Sequence, residues 1–173
     1  PLAKPLVREL RAAGVGVTVW DGLAGEPTFP EFAEALAAAR ACGVDAVVGL
    51  GGGSAMDVAK LTAALADGRQ DVADVIGVDR LQGRALWLAC IPTTAGTGSE
   101  VTPIAILGDE DADLKKGVVS RHLVPDAAYL DPLLTVSMPA QVTACTGLVA
   151  LTPGIEAYAN RFAHPMVDVQ ALA

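Results

Sequence analysis

Hydrophobic and polar positions in the first third of the chain alternate between helical and strand spacing. Apolar residues three or four apart, as at Leu6, Leu10 and Ala13, predict helices, whereas continuous apolar runs predict strands. The elements predicted in this way are a helix ending at Gly14, a strand over 15–20, a helix over 29–42 that stops at Gly43, a strand over 46–50 and a helix over 55–66. Strands separated by single helices are most simply joined as parallel neighbours, which predicts an α/β fold.

The second half of the chain begins with strands and ends with helices. Residues 67–84 are polar and predict a loop with at most a short helix, and residues 85–91 predict a strand. Two further strands, over 102–107 and 117–120, are expected to flank an acidic turn, and a helix is expected over 139–151. We therefore expect a parallel-sheet, Rossmann-like α/β domain over residues 1–135, and the beginning of an all-helical domain over 136–173.

Composition and charge narrow the classes of partner. The chain has 173 residues, 52% of them hydrophobic, and a formal net charge of -8. Without a basic run this charge argues against nucleic-acid or anionic-membrane partners. Cys42, Cys90 and Cys145 form no C-x-x-C pair, so we expect free thiols. No secretory leader or bilayer-spanning apolar segment is apparent in the sequence, and we expect a soluble, cytoplasmic protein.

Three consecutive glycines join the predicted strand over 46–50 to the next predicted helix. Such a turn leaves the first amides of the helix free and directs its positive dipole end at the loop, so a pyrophosphate can sit there. The motif is neither G-x-G-x-x-G nor a P-loop. The alternative is an ordinary strand-to-helix turn in which Ser54 is the helix N-cap.

A second loop rich in hydroxyl groups follows the strand predicted over 85–91. Thr93, Thr94, Thr97 and Ser99 offer donors for phosphate or ribose oxygens, and the glycines among them allow close backbone approach. An ordinary Ser/Thr/Gly connection is the alternative at this point.

Four ordered segments resemble the iron-containing, group III alcohol dehydrogenase family. They are Gly-Gly-Gly-Ser-x-x-Asp-x-Ala-Lys at 51–60, Pro-Thr-Thr-Ala-Gly-Thr-Gly-Ser-Glu at 92–100, Tyr-Leu-Asp-Pro-Leu-Leu-Thr at 129–135, and Thr-Gly-x-x-Ala-Leu-Thr-x-x-Ile-Glu-Ala-Tyr at 146–158. The resemblance implies an oxidoreductase that uses NAD or NADP and interconverts a small alcohol and its aldehyde or ketone. It is compatible with a homodimer.

The resemblance also implies roles for particular residues. The residues expected to contact the cofactor are Gly51, Gly52, Gly53 and Ser54 at the pyrophosphate, Asp57 at that turn or its cofactor, Thr93, Thr94 and Ser99 on the ribose and nicotinamide side, and Lys115 near the cofactor. A solvated surface lysine is the alternative for Lys115. Residues 21–22 and 26–28 resemble a family segment near the adenosine end.

The chain departs from the family at its metal site. The family binds a divalent metal, iron or zinc, with an Asp and a His four residues apart on one helix, and the matching positions here are Val149 and Pro153. Neither side chain can ligate a metal, so we expect the metal to be absent and catalysis to be impaired, and we assign no catalytic residue. Pro153 and Gly154 also predict a kink or an early helix stop near Thr152. His122 and His164 lie outside the ligand positions.

Two alternatives to an impaired dehydrogenase remain open. One is a metal-independent enzyme resembling maleylacetate reductases, although those keep the histidine that Pro153 replaces here. The other is a degenerate, non-catalytic dinucleotide-binding module. The family pattern includes a strand before residue 1 and further ligand histidines after Ala173, so we expect the chain to be truncated at both ends.

Overall fold

The computed structural model of the chain describes residues 2–173, so Pro1, the first residue of the predicted 1–135 domain, lies outside the described residues. The helices are Ala3–Ala12 (α1), Phe29–Cys42 (α2), Gly53–Leu65 (α3), Val72–Val75 (α4), Ala140–Tyr158 (α5) and Pro165–Ala171 (α6). The strands are Ala46–Gly51 (β1), Gly77–Val78 (β2), Trp87–Pro92 (β3), Ile104–Asp109 (β4), Leu114–Val119 (β5) and Ala127–Ala128 (β6). Single 3₁₀ turns occur at Ser99–Val101, Arg121–Leu123 and Pro132–Thr135.

Three strands form a parallel sheet in the order β1-β3-β6. The register places Ala46 opposite Trp87 and Gly51 opposite Pro92, so the carboxyl ends of β1 and β3 lie side by side. The predicted parallel sheet and α/β fold are therefore confirmed. Strand β6 was not predicted, since a pair of alanines carries no recognisable strand pattern.

A second, smaller sheet is formed by β2, β5 and β4. β4 and β5 pair in an antiparallel hairpin around the acidic turn. Two strands flanking this turn were predicted, although over 102–107 and 117–120 rather than Ile104–Asp109 and Leu114–Val119. Residues 67–84 contain the short helix α4, and also the unpredicted two-residue strand β2, which pairs in parallel with β5.

Helix α3 lies between these two sheets and is buried on most of its surface. Its apolar side chains take part in two groups of buried residues, which also include residues of the neighbouring elements. The larger group contains Phe32, Ala35, Val58, Leu61, Ala64, Leu65, Val75, Leu81, Ala105, Leu107, Val118 and Leu123. The smaller group contains Met56, Ala59, Ala63, Leu88 and Cys90. A helix that is apolar on nearly all sides is typical of a core position, and α3 is the element around which both sheets are organised.

Helix α2 has the predicted bounds because both of its ends carry local signals. Thr28 and Glu31 form a reciprocal capping box at the first turn, and Gly43 ends the helix with φ of 58°. These interactions are local in sequence, which is why the pattern alone located both ends.

The strand predicted over residues 15–20 is wrong, because these residues form no strand in the structure. Their apolar pattern is correct for a strand, yet Val15 and Val19 are exposed, and β1 hydrogen-bonds to β3 alone. A strand requires a neighbouring strand to accept and donate its backbone hydrogen bonds, and the sequence pattern does not supply that neighbour.

The early stop predicted near Thr152 is also wrong, because α5 continues through Pro153 to Tyr158. The proline ring is compatible with the helical φ, although it removes one backbone hydrogen bond and crowds the carbonyl of Val149, four residues earlier. Directly before the proline, the Thr152 hydroxyl donates to the Leu148 carbonyl over 2.9 Å. From residue 129 to 173 the described chain contains helices and turns without strands. The division into domains at residues 135 and 136 stays a prediction.

Cys42, Cys90 and Cys145 are free, as expected, and Cys90 alone is buried. Within residues 2–173, no helix combines the length and the apolar character needed to cross a membrane.

Candidate functional site

The triglycine turn begins α3 earlier than the sequence pattern predicted. Gly52 is the N-cap in an extended conformation, and the helix starts at Gly53 rather than Ala55. The alternative with Ser54 as N-cap is therefore wrong. No side chain within residues 2–173 caps the N-terminus of this helix, so its first amide groups have no intrahelical acceptor and no side-chain acceptor.

Glycine is required in and beside this turn for steric reasons. Gly51 has φ of 156°, and a Cβ on it would lie 2.7 Å from the Cβ of Ala55. In β1, a Cβ on Gly49 would lie 2.8 Å from the Cβ of Ala59. The absence of both side chains lets α3 pack directly against the strand that precedes it.

The hydroxyl-rich loop lies directly against the triglycine turn. The Thr93 amide donates to the Gly51 carbonyl over 2.9 Å. A Cβ on Gly52 would lie 3.5 Å from the Thr94 hydroxyl oxygen, and one on Gly53 would lie 3.0 Å from the Thr97 hydroxyl oxygen. The structure thus brings together the two segments that the sequence singled out. It adds Thr97, whose hydroxyl was noted in this loop but was not among the predicted cofactor contacts.

Asp57 and Ser99 contact each other. The Ser99 hydroxyl donates to Asp57 Oδ1 over 2.6 Å, and the Ile106 amide donates to Asp57 Oδ2 over 3.1 Å. Ser99 is buried. Burial raises the pKa of the Asp57 carboxyl, while the Ser99 hydrogen bond, the charge of Lys60 and the Ile106 amide act in the opposite direction. The carboxylate therefore connects α3 to the loop and to β4.

Lys60, one helical turn after Asp57, is completely buried. Its Nζ donates to the Thr102 carbonyl over 2.9 Å, to the Thr102 hydroxyl over 3.2 Å and to the Ile104 carbonyl over 2.9 Å. In the sequence, Lys60 was noted only as the last residue of the motif at 51–60, and no role was predicted for it. Nearby, burial raises the pKa of the Cys90 thiol to about 11, so this cysteine is a neutral core residue rather than a nucleophile near neutral pH.

Lys115 lies on the β4–β5 hairpin, opposite Gly108. Its ammonium group forms an ion pair with Glu26 at 2.6 Å, and both side chains are largely exposed. The Gly108 amide donates to the Pro27 carbonyl over 2.7 Å, which attaches the segment 26–28 to the hairpin. The structure therefore brings together Lys115 and the segment that the resemblance placed near the adenosine end of the cofactor.

Helix α5 touches the hydroxyl-rich loop where Gly96 meets Thr146. A Cβ on Gly96 would overlap the Thr146 carbonyl oxygen, so only glycine fits. Val149, within the next turn of α5, is 45% exposed. Neither Val149 nor Pro153 has a donor atom, and no group of three or more His, Cys, Asp or Glu residues that could hold a metal occurs among residues 2–173. The residues at these two positions do not fit a metal site.

His164 and His122 occupy turn positions. The His164 Nδ1 accepts a hydrogen bond from the Met166 amide over 3.2 Å and so caps α6. His122 lies in a 3₁₀ turn that begins with a hydrogen bond from its amide to the Ser120 hydroxyl. Both histidines have a local structural explanation.

Comparisons with known proteins agree with this architecture. The sequence profile described as iron-containing alcohol dehydrogenase matches residues 1–132. Long-chain-alcohol dehydrogenase 1 of Geobacillus thermodenitrificans is 43% identical over 175 residues, which cover 99% of this chain and 44% of that protein. The crystal structure of a 1,3-propanediol oxidoreductase has a TM-score of 0.89 at 34% identity, covering 96% of this chain and 44% of that one.

A further similar structure is that of sulfoacetaldehyde reductase from Bifidobacterium kashiwanohense in complex with NAD+. Its TM-score is 0.87 at 33% identity, and the match covers 98% of this chain and 46% of that one. The chain therefore spans less than half the length of the relatives it matches.

The parallel sheet and the glycine turn at its carboxyl edge define a Rossmann-like α/β protein. More specifically, the chain belongs to the iron-containing alcohol dehydrogenase family, since the family profile covers most of its length.

Proposed function

We propose that the chain binds a nicotinamide dinucleotide, with the pyrophosphate at the N-terminus of α3. The observation that carries this proposal is the uncapped start of α3 at the carboxyl edge of the parallel sheet. Free amide groups and the positive end of the helix dipole attract an anion, and Gly51, Gly52 and Gly53 place no side chain in its way. Ser54 supplies a further amide in the first turn.

The threonines of the neighbouring loop give the proposed site its second wall. Thr93 is attached to Gly51, and Thr94 faces Gly52, so we place the nicotinamide ribose beside these two residues. Asp57 and Ser99 act differently in this proposal. They are hydrogen-bonded to each other, so in this proposal they hold the loop in place and do not contact the cofactor.

Lys115 is the proposed contact for an anionic group of the cofactor at the hairpin. Its side chain is 61% exposed and forms an ion pair with Glu26. Exposed ion pairs contribute only about 0–1 kcal/mol, so a phosphate of the cofactor can replace Glu26 as the partner of Lys115 at little cost.

The substitution Gly52→Ala tests the binding site, because its methyl group meets the protein only at ordinary contact distance. We expect it to occupy the proposed pyrophosphate position and to weaken NADH binding by about tenfold or more, with only a small fall in the melting temperature, because alanine is a poorer N-cap than glycine. Fluorescence titration with NADH measures the affinity. Gly83→Ala is the matched control, because nothing lies within 4 Å of its Cβ position. Equal NADH affinities for both variants and the wild type would show that the pyrophosphate does not bind at this turn.

The reaction we propose is the family reaction, a hydride transfer between a small alcohol and its aldehyde or ketone, in strongly impaired form. The dinucleotide, when bound, supplies or accepts the hydride. The described residues orient it between the triglycine turn and the threonine loop. At the position where the family metal would act, Val149 and Pro153 offer no ligand atom. Loss of the Lewis acid removes several kcal/mol of barrier lowering.

Turnover and metal content test this impairment together. We expect NADH to bind while its oxidation by aldehydes stays orders of magnitude below that of a metal-containing enzyme, and we expect substoichiometric iron and zinc by elemental analysis. Tightly bound stoichiometric metal would contradict the proposal, as would rapid turnover without metal.

A second candidate function is a non-catalytic dinucleotide-binding module, which the same two residues, Val149 and Pro153, also favour. The result that selects this module is NADH binding with no oxidation detectable on any aldehyde, whereas slow, saturable oxidation selects the impaired dehydrogenase.

A further inference from the structure

Lys60 is the one charged side chain among the buried residues of the described chain, and its ammonium group is fully used. An ammonium has three N–H donors, and three oxygens from two residues, Thr102 and Ile104, accept from it. These acceptors lie in the segment that leads from the hydroxyl-rich loop into β4. Lys60 therefore connects the middle of α3 to the end of that loop.

Asp57 makes the complementary connection from the same side of α3. Its two carboxylate oxygens bind the Ser99 hydroxyl and the Ile106 amide. Residues 57 and 60 of one helix therefore hold residues 99, 102, 104 and 106 in turn along the chain. At Asp57 the helix supplies acceptor oxygens to a hydroxyl and an amide donor. At Lys60 it supplies N–H donors to two carbonyls and a hydroxyl oxygen.

The helix that makes these contacts is also the helix whose N-terminus forms the triglycine turn. The contacts of Lys60 and Asp57 attach the loop to the body of α3, and the hydrogen bond from the Thr93 amide to the Gly51 carbonyl attaches it to the turn. At the turn, the hydroxyl groups of Thr94 and Thr97 lie beside Gly52 and Gly53.

We propose that Lys60 is a positioning residue for dinucleotide binding, which together with Asp57 holds the loop over 93–102 against the triglycine turn. This inference rests on the proposed function of that turn. Lys60 does not touch the cofactor itself, because it is buried beneath the loop.

An apolar residue at position 60 cannot donate the hydrogen bonds that Lys60 donates to the loop. It would leave the Thr102 and Ile104 carbonyls without the donor they have now, and buried acceptors without partners destabilise the conformation that buries them. Burial lowers the pKa of the Lys60 ammonium, while the nearby Asp57 carboxylate acts in the opposite direction and favours its charged form.

Lys60→Met tests the inference in the full chain, with Leu65→Ala as the matched control. Leu65 is equally buried on α3, but it packs in the core beside Leu61 rather than under the loop. We expect both variants to lower the melting temperature. We expect only Lys60→Met to weaken NADH binding, by about tenfold. In the protein without NADH, we also expect only this variant to exchange its amide hydrogens faster over residues 93–106, with the amides of β1 as the internal reference. Equal NADH affinities in the two variants would overturn the proposal.

Thr102→Val provides the same test if Lys60→Met does not fold. It removes the hydroxyl acceptor and keeps the carbonyl, so we expect a smaller loss of NADH affinity, about threefold, with faster exchange confined to the loop. Unchanged exchange and unchanged affinity would contradict the proposal. If the wild type fails to bind NADH, the proposed function is wrong, and the exchange measurement still decides whether Lys60 holds the loop.

Discussion

Single side chains attach the loops of this molecule to its helices, and Glu31 illustrates how. Its carboxylate accepts from the Thr28 amide over 2.9 Å, from the Thr28 hydroxyl over 3.1 Å and from the Ala24 amide over 3.2 Å. These hydrogen bonds hold the pKa of the Glu31 carboxyl below its usual value of 4.5, and the bond from the Thr28 amide has the largest effect. Glu31 thus joins the start of α2 to the loop that precedes it.

The lowered pKa of Glu31 predicts a pH-dependent effect of Glu31→Gln. A carboxyl with a lower pKa in the folded state stabilises the fold above its unfolded pKa, and this contribution disappears as the pH falls through the folded pKa. We therefore expect the variant to melt below the wild type near neutral pH, and the difference to shrink once the pH is below 4.5. Thermal unfolding across this range measures it. Glu34→Gln, exposed on the same helix, is the control, and a pH-independent difference would contradict the prediction.

At the scale of elements, α5 is a helix that forms in spite of its own sequence. Pro153 lies in its interior, and Gly154 follows immediately. Gly154 also faces α6, since a Cβ on it would lie 3.3 Å from the Ala171 carbonyl oxygen. The two positions therefore differ in their surroundings. Pro153 is exposed, whereas Gly154 lies in the contact between α5 and α6.

Alanine substitutions at these two positions should consequently differ. Pro153→Ala restores a helical hydrogen bond at an exposed position, and we expect it to raise the free energy of unfolding by up to about 3 kcal/mol. Gly154→Ala should gain less than the roughly 1 kcal/mol of helix propensity, because its methyl group presses on α6. Urea denaturation compares the two. A Pro153→Ala variant less stable than the wild type would show that the proline is needed.

At the scale of the whole molecule, the packing is uneven. Both groups of buried apolar residues lie between residues 32 and 123, whereas α5 and α6 bury no residue completely. Large apolar side chains on those two helices, such as Leu148, Phe162 and Met166, are exposed. Exposed apolar surface of this extent favours association, and the homodimer expected from the family resemblance stays a prediction.

The sequence predicted those parts of the molecule whose causes are local. The capping residues and Gly43 located α2, and the glycines at 51–53 located the turn before α3. Residues 15–20 show the limit of this approach, because their apolar pattern was correct and the partner strand was lacking. Likewise, the sequence could not show that Ser99 is turned toward Asp57, since these residues are far apart in the chain.

The metal positions illustrate a different relation between sequence and structure. Val149 and Pro153 were identified by comparison with a family pattern, and the structure places them on a continuous helix, as that pattern requires. The prediction that the metal is absent remains a prediction, which elemental analysis will decide.

The meeting of Gly96 with the Thr146 carbonyl has a consequence for protein engineering. An attempt to install ligands by Val149→Asp and Pro153→His would act on a helix whose backbone already abuts the loop one turn earlier. A rotation or shift of α5 toward the loop, made to improve the new coordination geometry, would push that carbonyl into Gly96. A redesign of this helix therefore has to conserve its axial register at residue 146, and selection for metal affinity alone would be expected to damage the neighbouring proposed dinucleotide site.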